Sequence, residues 1–168
     1  MHQGRQLAIG LALLGAWLGV APAAAEPPRA DRVVVYKSQR LLLLMRGDQV
    51  LKRAPIALGL TPRGHKREEG DSRTPEGHYR LTRRNPDSDF FLSIQVSYPN
   101  DRDRAQARRR GVSPGGQIMI HGLPNEPTHS EEYYRIADWT DGCIAVSNSD
   151  MVDIWLMTGD GTPIDILP

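Results

Sequence analysis

The chain carries a single cysteine, Cys143, in the segment Thr140-Asp141-Gly142-Cys143-Ile144, and a histidine, His121, in Ile118-Met119-Ile120-His121-Gly122. A thiol attacks a carbonyl as its thiolate, and with a free pKa of about 8.5 only about 3% is ionised at pH 7. A neighbouring imidazole raises that fraction and can also hand a proton to a leaving amine. Gly142, lacking a side chain, lets a carbonyl approach the backbone beside the sulfur, where the Gly142 and Cys143 amides would face a developing oxyanion. The chemistry open to these residue types is acyl transfer through a thioester. A buried, inert cysteine beside a turn glycine is the plainer alternative, so the surroundings must decide.

The elements that would position them read as follows. Arg32–Lys37 and Arg40–Arg46 are two apolar strands, and Val50–Leu58 is a third, demoted in part by Pro55. Residues 59–74 are polar and Gly-rich, and Thr74-Pro75-Glu76-Gly77 has the Pro and Gly placement of a type I turn. His78–Arg83 and Phe90–Tyr98 are strands, the second alternating through Phe90, Leu92, Ile94 and Val96. Asp101–Arg110 is a helix, with acids in its first turn, three arginines in its last and Gly111 as its stop. Gln117–His121 is a strand with Ile118 and Ile120 on one face, so Met119 and His121 face the other way. Glu131–Ala137 is a short helix and Cys143–Val146 a short strand. Ser147 caps a final helix with Asp150 three residues on, and Pro163–Leu167 closes the domain as a strand. The sum is a mainly β domain with two or three short helices.

Composition agrees with a globular domain: 39% of residues are hydrophobic and 24% charged, and 13 Pro with 16 Gly disfavour a long-helix bundle. The balance of 21 basic against 20 acidic residues gives no reason to expect a nucleic acid partner. Residues 1–25 divide like a secretory signal: Arg5, the apolar run Leu7–Val20, then Ala23-Ala24-Ala25 before Glu26. The run is shorter than the ~20 residues that span a bilayer, although an uncleaved anchor remains the alternative. Cleavage would leave residues 26–168 as one exported domain with its charges in balance and no integral membrane segment. A lone cysteine there cannot be sealed in an internal disulfide. His121, His129 and Cys143 match no common zinc spacing, so no metal is expected.

His121-Gly122 followed downstream by Thr140-Asp141-Gly142-Cys143-Ile144 and Asn148 resembles the signature of the L,D-transpeptidases, cysteine enzymes that cross-link bacterial peptidoglycan. Gly70-Asp71-Ser72-Arg73-Thr74-Pro75-Glu76-Gly77-His78-Tyr79 is similar to a further turn and strand of that family, and the similarity runs from about Val33 to Ile166. The resemblance implies an L,D-transpeptidase-like fold of mixed sheets or a β-sandwich and an exported enzyme of the periplasm or cell wall, without a cofactor. It implies that Cys143 is the nucleophile and His121 the acid–base, oriented by the Gly122 carbonyl. Thr140, Asp141 and Gly142 would border the oxyanion, with Trp139 as either core packing or pocket wall. The donor would be a tetrapeptide stem. The acceptor would be a stem amine, giving a 3→3 cross-link, or a lipoprotein lysine, a free D-amino acid or water. A non-catalytic wall-binding domain of the same fold is the rival from another class.

Three departures from the family pattern matter. Asp141 stands where a second histidine is usual, and either holds His121 protonated or is a solvated turn residue. Ala145 replaces an arginine, leaving Arg135, Lys66 or Arg67 as substitutes or as mere surface charges. The interval from His121 to Cys143 runs long, with the excess in Asn125–Tyr134, a candidate lid or acceptor-site loop.

Overall fold

Two nearly unbroken apolar runs begin the fold, β1 (Arg32–Tyr36) and β2 (Leu41–Arg46), paired antiparallel with Val34 opposite Leu43. Strands covered on both faces need not alternate, and both faces here are covered. Val33, Val35, Leu42 and Leu44 enter the main core, while Val34, Leu43 and Met45 form a smaller cluster on the reverse side. β3 (Gln49–Pro55) ends at its proline on the edge of the sheet, where a missing N–H is tolerated. The computed structural model describes residues 27–168, so the signal or anchor read at 1–25 lies outside the described residues.

The remaining strands are β4 (Gly77–Ser88), β5 (Phe91–Val96), β6 (Met119–His121), β7 (Ile144–Ala145) and β8 (Pro163–Leu167). The helices are α1 (Asp101–Arg110), α2 (Glu131–Ile136) and α3 (Asn148–Met157). Among the described residues one open mixed sheet of eight strands runs β3-β2-β1-β8-β4-β5-β6-β7. This is the mainly β, mixed-sheet architecture that the sequence predicts. β4 joins its two halves: Gly77–Arg80 pairs with β8, and the strand beyond Leu81 pairs with β5. The sequence suggests an end at Arg83, because Arg84-Asn85-Pro86-Asp87 is polar and contains proline, yet the strand continues through two register shifts. The predicted strand at Phe90 also starts one residue late. Phe91 takes φ +61° in the hairpin turn, which leaves Phe90 outside the alternation.

The helices obey their caps. Asn100 and Asp103 form a reciprocal capping box at the start of α1, and Gly111 ends it at φ +69°. Ser147 accepts from the Asp150 amide at the start of α3, which buries Met151, Ile154 and Met157 in the main core.

The loop between β3 and β4 is held from inside. Lys37, only 2% exposed, donates to the Gly64 and Thr74 carbonyls at 2.7 and 2.9 Å and to Glu76 at 2.8 Å. Burial lowers its pKa and the Glu76 carboxylate opposes that shift, which is how a buried ammonium is tolerated. His65, within this loop, accepts from the Glu76 amide through Nδ1 and faces the buried Asp103 through Nε2 at 3.2 Å. These contacts hold residues 64–76 against the body of the domain, with Arg73 beside the Cys143 turn.

Candidate active site

His121 owes its position to β6. Ile118 and Ile120 are buried in the core, so Met119 and His121, which alternate with them, point to the opposite face, as the two-residue period predicts. β7 runs parallel to β6 with Ile120 opposite Ile144 and His121 opposite Ala145. Cys143, one residue before β7, therefore lies one diagonal step from His121 on the same face. Both side chains line a cavity of about 520 Å³ with Phe90, Trp139, Thr140, Asp141, Gln117 and Met119 among its walls.

The imidazole is buried, 3% exposed, and its Nδ1 lies 2.7 Å from the Gly122 carbonyl. A carbonyl oxygen only accepts, so Nδ1 carries the proton and the neutral ring keeps its lone pair on Nε2. Phe90 packs at 4.6 Å between ring centroids and Trp139 meets the ring edge-on at 5.6 Å. Trp139 is thus both packing and pocket wall, with its Nε1 donating to the Tyr134 carbonyl. Burial pushes the His121 pKa down to about 4 against the pull of the Gly122 carbonyl. The Cys143 thiol, half-buried, donates to the Gln117 carbonyl at 3.6 Å. Burial raises its pKa, the Met119 amide opposes this, Asp141 adds to it and Lys66 offsets it slightly. Burial therefore favours the neutral thiol and imidazole, whereas the sequence alone points to a raised thiolate fraction.

The turn before the cysteine is built from the backbone. Thr140 is buried, and its hydroxyl donates to the Cys143 carbonyl at 2.8 Å while accepting the Gly142 amide at 3.2 Å. The Gly142 N–H is thereby engaged within the turn, not aimed at the cavity. Residues 57–60 back the turn: Ala57 exchanges two hydrogen bonds with Ala145, and the Thr140 backbone bonds to Leu58 and Leu60. Arg40 clamps Asp138, whose carboxylate also takes the Leu58 amide.

Gly142 has a reason the sequence does not suggest. Its φ is +121°, and a Cβ there would lie 2.5 Å from the Arg73 carbonyl oxygen. The glycine admits the loop backbone, where the sequence pointed to a substrate carbonyl. Gly142→Ala is expected to destabilise the fold by about 3 kcal/mol or more in urea unfolding, through strain and displacement of residues 72–74. A change below about 1 kcal/mol would show that the loop yields freely.

The other sequence-predicted residues are dispersed. Asp141 is exposed on the rim of the cavity. Arg135 lines a separate cavity of about 200 Å³ with Pro55, Leu123, Tyr134 and Ala145. Lys66 is buried against Asp71 at 2.8 Å, and Arg67 lines a pocket with His65 and Asp103. None of these three cations is among the residues lining the Cys143 cavity. In the long interval, Asn125 is tied to the β4–β5 turn and the Tyr134 hydroxyl accepts the Thr128 amide. His129 stacks on Tyr133 at 4.3 Å. Phe90 is a site residue that the sequence reading missed, since its place in an alternating run disguised a turn residue.

YafK of Escherichia coli strain K12 is 38% identical over 61 residues, covering 35% of this chain and 23% of that protein. The helical cell shape determining protein Pgp2 of Campylobacter jejuni superposes with a TM-score of 0.59 at 26% identity, over 80% of this chain and 46% of that one. An L,D-transpeptidase from Mycobacterium smegmatis shares the fold, with a TM-score of 0.54 at 14% identity over 81% of this chain and 58% of that one. The chain thus spans less than half the length of YafK or Pgp2. The model of the YkuD family, the L,D-transpeptidase catalytic domain, matches residues 30–166. That match runs through every strand from β1 to β8, and the chain belongs to the YkuD L,D-transpeptidase family.

Proposed function

We propose that the protein is a peptidoglycan L,D-transpeptidase that forms an acyl-thioester on Cys143 and passes it to an amine. The observation that carries this reading is the shared cavity of Cys143 and His121, in which the Gly122 carbonyl leaves the imidazole Nε2 as a base. Cys143 Sγ attacks the carbonyl of the third, diamino-acid residue of a tetrapeptide stem while its proton passes to Nε2. His121 then protonates the nitrogen of the terminal D-Ala, the C–N bond breaks and the thioester remains. An acceptor amine attacks, His121 takes its proton, and the thiolate leaves and recovers that proton as a 3→3 cross-link forms. With the Gly142 amide held by Thr140, the Cys143 amide is the donor to the oxyanion. The thioester conserves the energy of the broken amide, so no cofactor enters the scheme. Residues 1–25 serve as the export signal in this reading, and residues 26–168 act in the periplasm or cell wall.

The test is mass spectrometry of the protein and of muropeptides incubated with it. A carbapenem adduct on Cys143 and new 3→3 dimers are the expected result. A tripeptide without dimers would assign a carboxypeptidase using the same acyl-enzyme. A lipoprotein lysine in the product would name a different acceptor. Absence of any adduct on the reduced protein would reduce it to a wall-binding domain.

A further inference from the structure

The Cys143 cavity has no lysine or arginine in its lining, and Ala145, where the family arginine is absent, is buried beneath its bridge to Ala57. A smaller cavity of about 260 Å³ adjoins it, sharing Asn85, Ser93, Gln117 and Met119 and adding Arg83 and Gln95. Together they make one groove over the face of β4, β5 and β6.

Strand register shows how Arg83 reaches this groove. Gln95 is opposite Met119, and the offset that sets Ile120 opposite Ile144 places Met119 level with Cys143. On the far side of β5, Leu81 pairs with Val96 and Arg84 with Ile94, so Thr82 and Arg83 share Gln95 as a β-bulge. Bulges re-aim side chains, often beside active sites. Here the bulge sets Arg83, Gln95, Met119 and Cys143 in one row across the sheet. The neighbouring Arg84 is committed to Asp160, Thr158 and the Trp155 carbonyl. Arg83 is exposed and has no ion-pair partner among the described residues. The carboxylates lining the groove are Asp87, Asp89 and Asp141, which leaves Arg83 as its one fixed cation among the described residues.

We infer that Arg83 is the specificity-determining cation of the donor site, binding a carboxylate of the stem with Gln95 and Gln117 beside it. The inference rests on the transpeptidase reading. Three strand spacings separate Arg83 from Cys143, about 14 Å at the backbone, and the arginine side chain covers about half of that. The remainder exceeds the single residue, about 3.6 Å, between the attacked carbonyl and the carboxylate of the leaving D-Ala. It matches the extended side chain of a diamino acid that ends in a carboxylate. The aspartates repel that carboxylate from the rest of the groove, and the guanidinium holds it by charge-assisted hydrogen bonds.

The experiment measures binding to full-length protein carrying Cys143→Ala, so that nothing turns over. The probes are two tetrapeptide stems, one with the diamino-acid side-chain carboxylate free and one with it converted to a carboxamide. The free acid is expected to bind about tenfold more tightly. Adding Arg83→Gln should erase the difference, and Arg83→Lys should recover part of it, with the thermal midpoint unchanged in each. Equal affinities, no binding of either peptide, or a preference that survives Arg83→Gln would overturn the assignment. Failure of the wild-type protein to form a thioester from either peptide would instead overturn the transpeptidase reading, whatever the binding preference.

Discussion

Cys143→Ala is expected to leave no detectable turnover of a tetrapeptide stem while the fold is kept. The replacement removes the one thiol lining the cavity among the described residues, and with it the thioester on which the proposed route depends. The folded state loses little, because the sulfur is half-buried and donates one long hydrogen bond, to the Gln117 carbonyl at 3.6 Å. A change of about 1 kcal/mol or less in unfolding free energy is the expected magnitude. The check is turnover by liquid chromatography beside a urea titration on the same preparation. Residual turnover above that of a heat-inactivated sample would mean that another group carries the reaction.

His121→Gln is expected to lower turnover by about a hundredfold to ten-thousandfold, the usual contribution of a positioned acid–base. Gln retains an N–H for the Gly122 carbonyl but has no basic nitrogen, so the contact can survive while proton transfer is lost. The substitution also alters acid stability. In the folded protein burial holds the imidazole pKa near 4, against the ordinary value of 6.5. As pH falls through 6.5 the unfolded chain takes up a proton that the folded chain refuses, so stability is full above that pH. It is lost progressively between about 6.5 and about 4, by about 3 kcal/mol in total. The wild-type unfolding free energy should therefore fall more steeply over that window than that of His121→Gln. Parallel curves would mean that the ring is solvated when charged.

These two residues were the readable part of the site, because adjacency along the chain carried the information. His121 beside Gly122, and Cys143 behind Thr140 and Gly142, are local patterns. So are the capping residues, from which the bounds of α1 and of the start of α3 follow closely. What adjacency does not carry is pairing. Nothing in the run Arg84-Asn85-Pro86-Asp87 reveals that β4 continues there, since the strand is stabilised by β5 across two register shifts. Lys37 ends a strand in sequence, and its burial depends on the Gly64 and Thr74 carbonyls and the Glu76 carboxylate of a distant loop. Arg83 escaped notice for the same reason: its row with Cys143 exists only across four strands.

The order of the sheet bears on how the chain folds. β8 lies between β1 and β4, with Val35 opposite Ile166 on one side and Tyr79 opposite Ile164 on the other. The two halves of the sheet therefore cannot be zipped together until residues 163–167 are available, however early β1, β2 and β3 associate. Without that strand no hydrogen-bonded ladder bridges them. The β3-β2-β1 unit and the β4-to-β7 unit that carries His121 therefore become one sheet only as residues 163–167 dock between them.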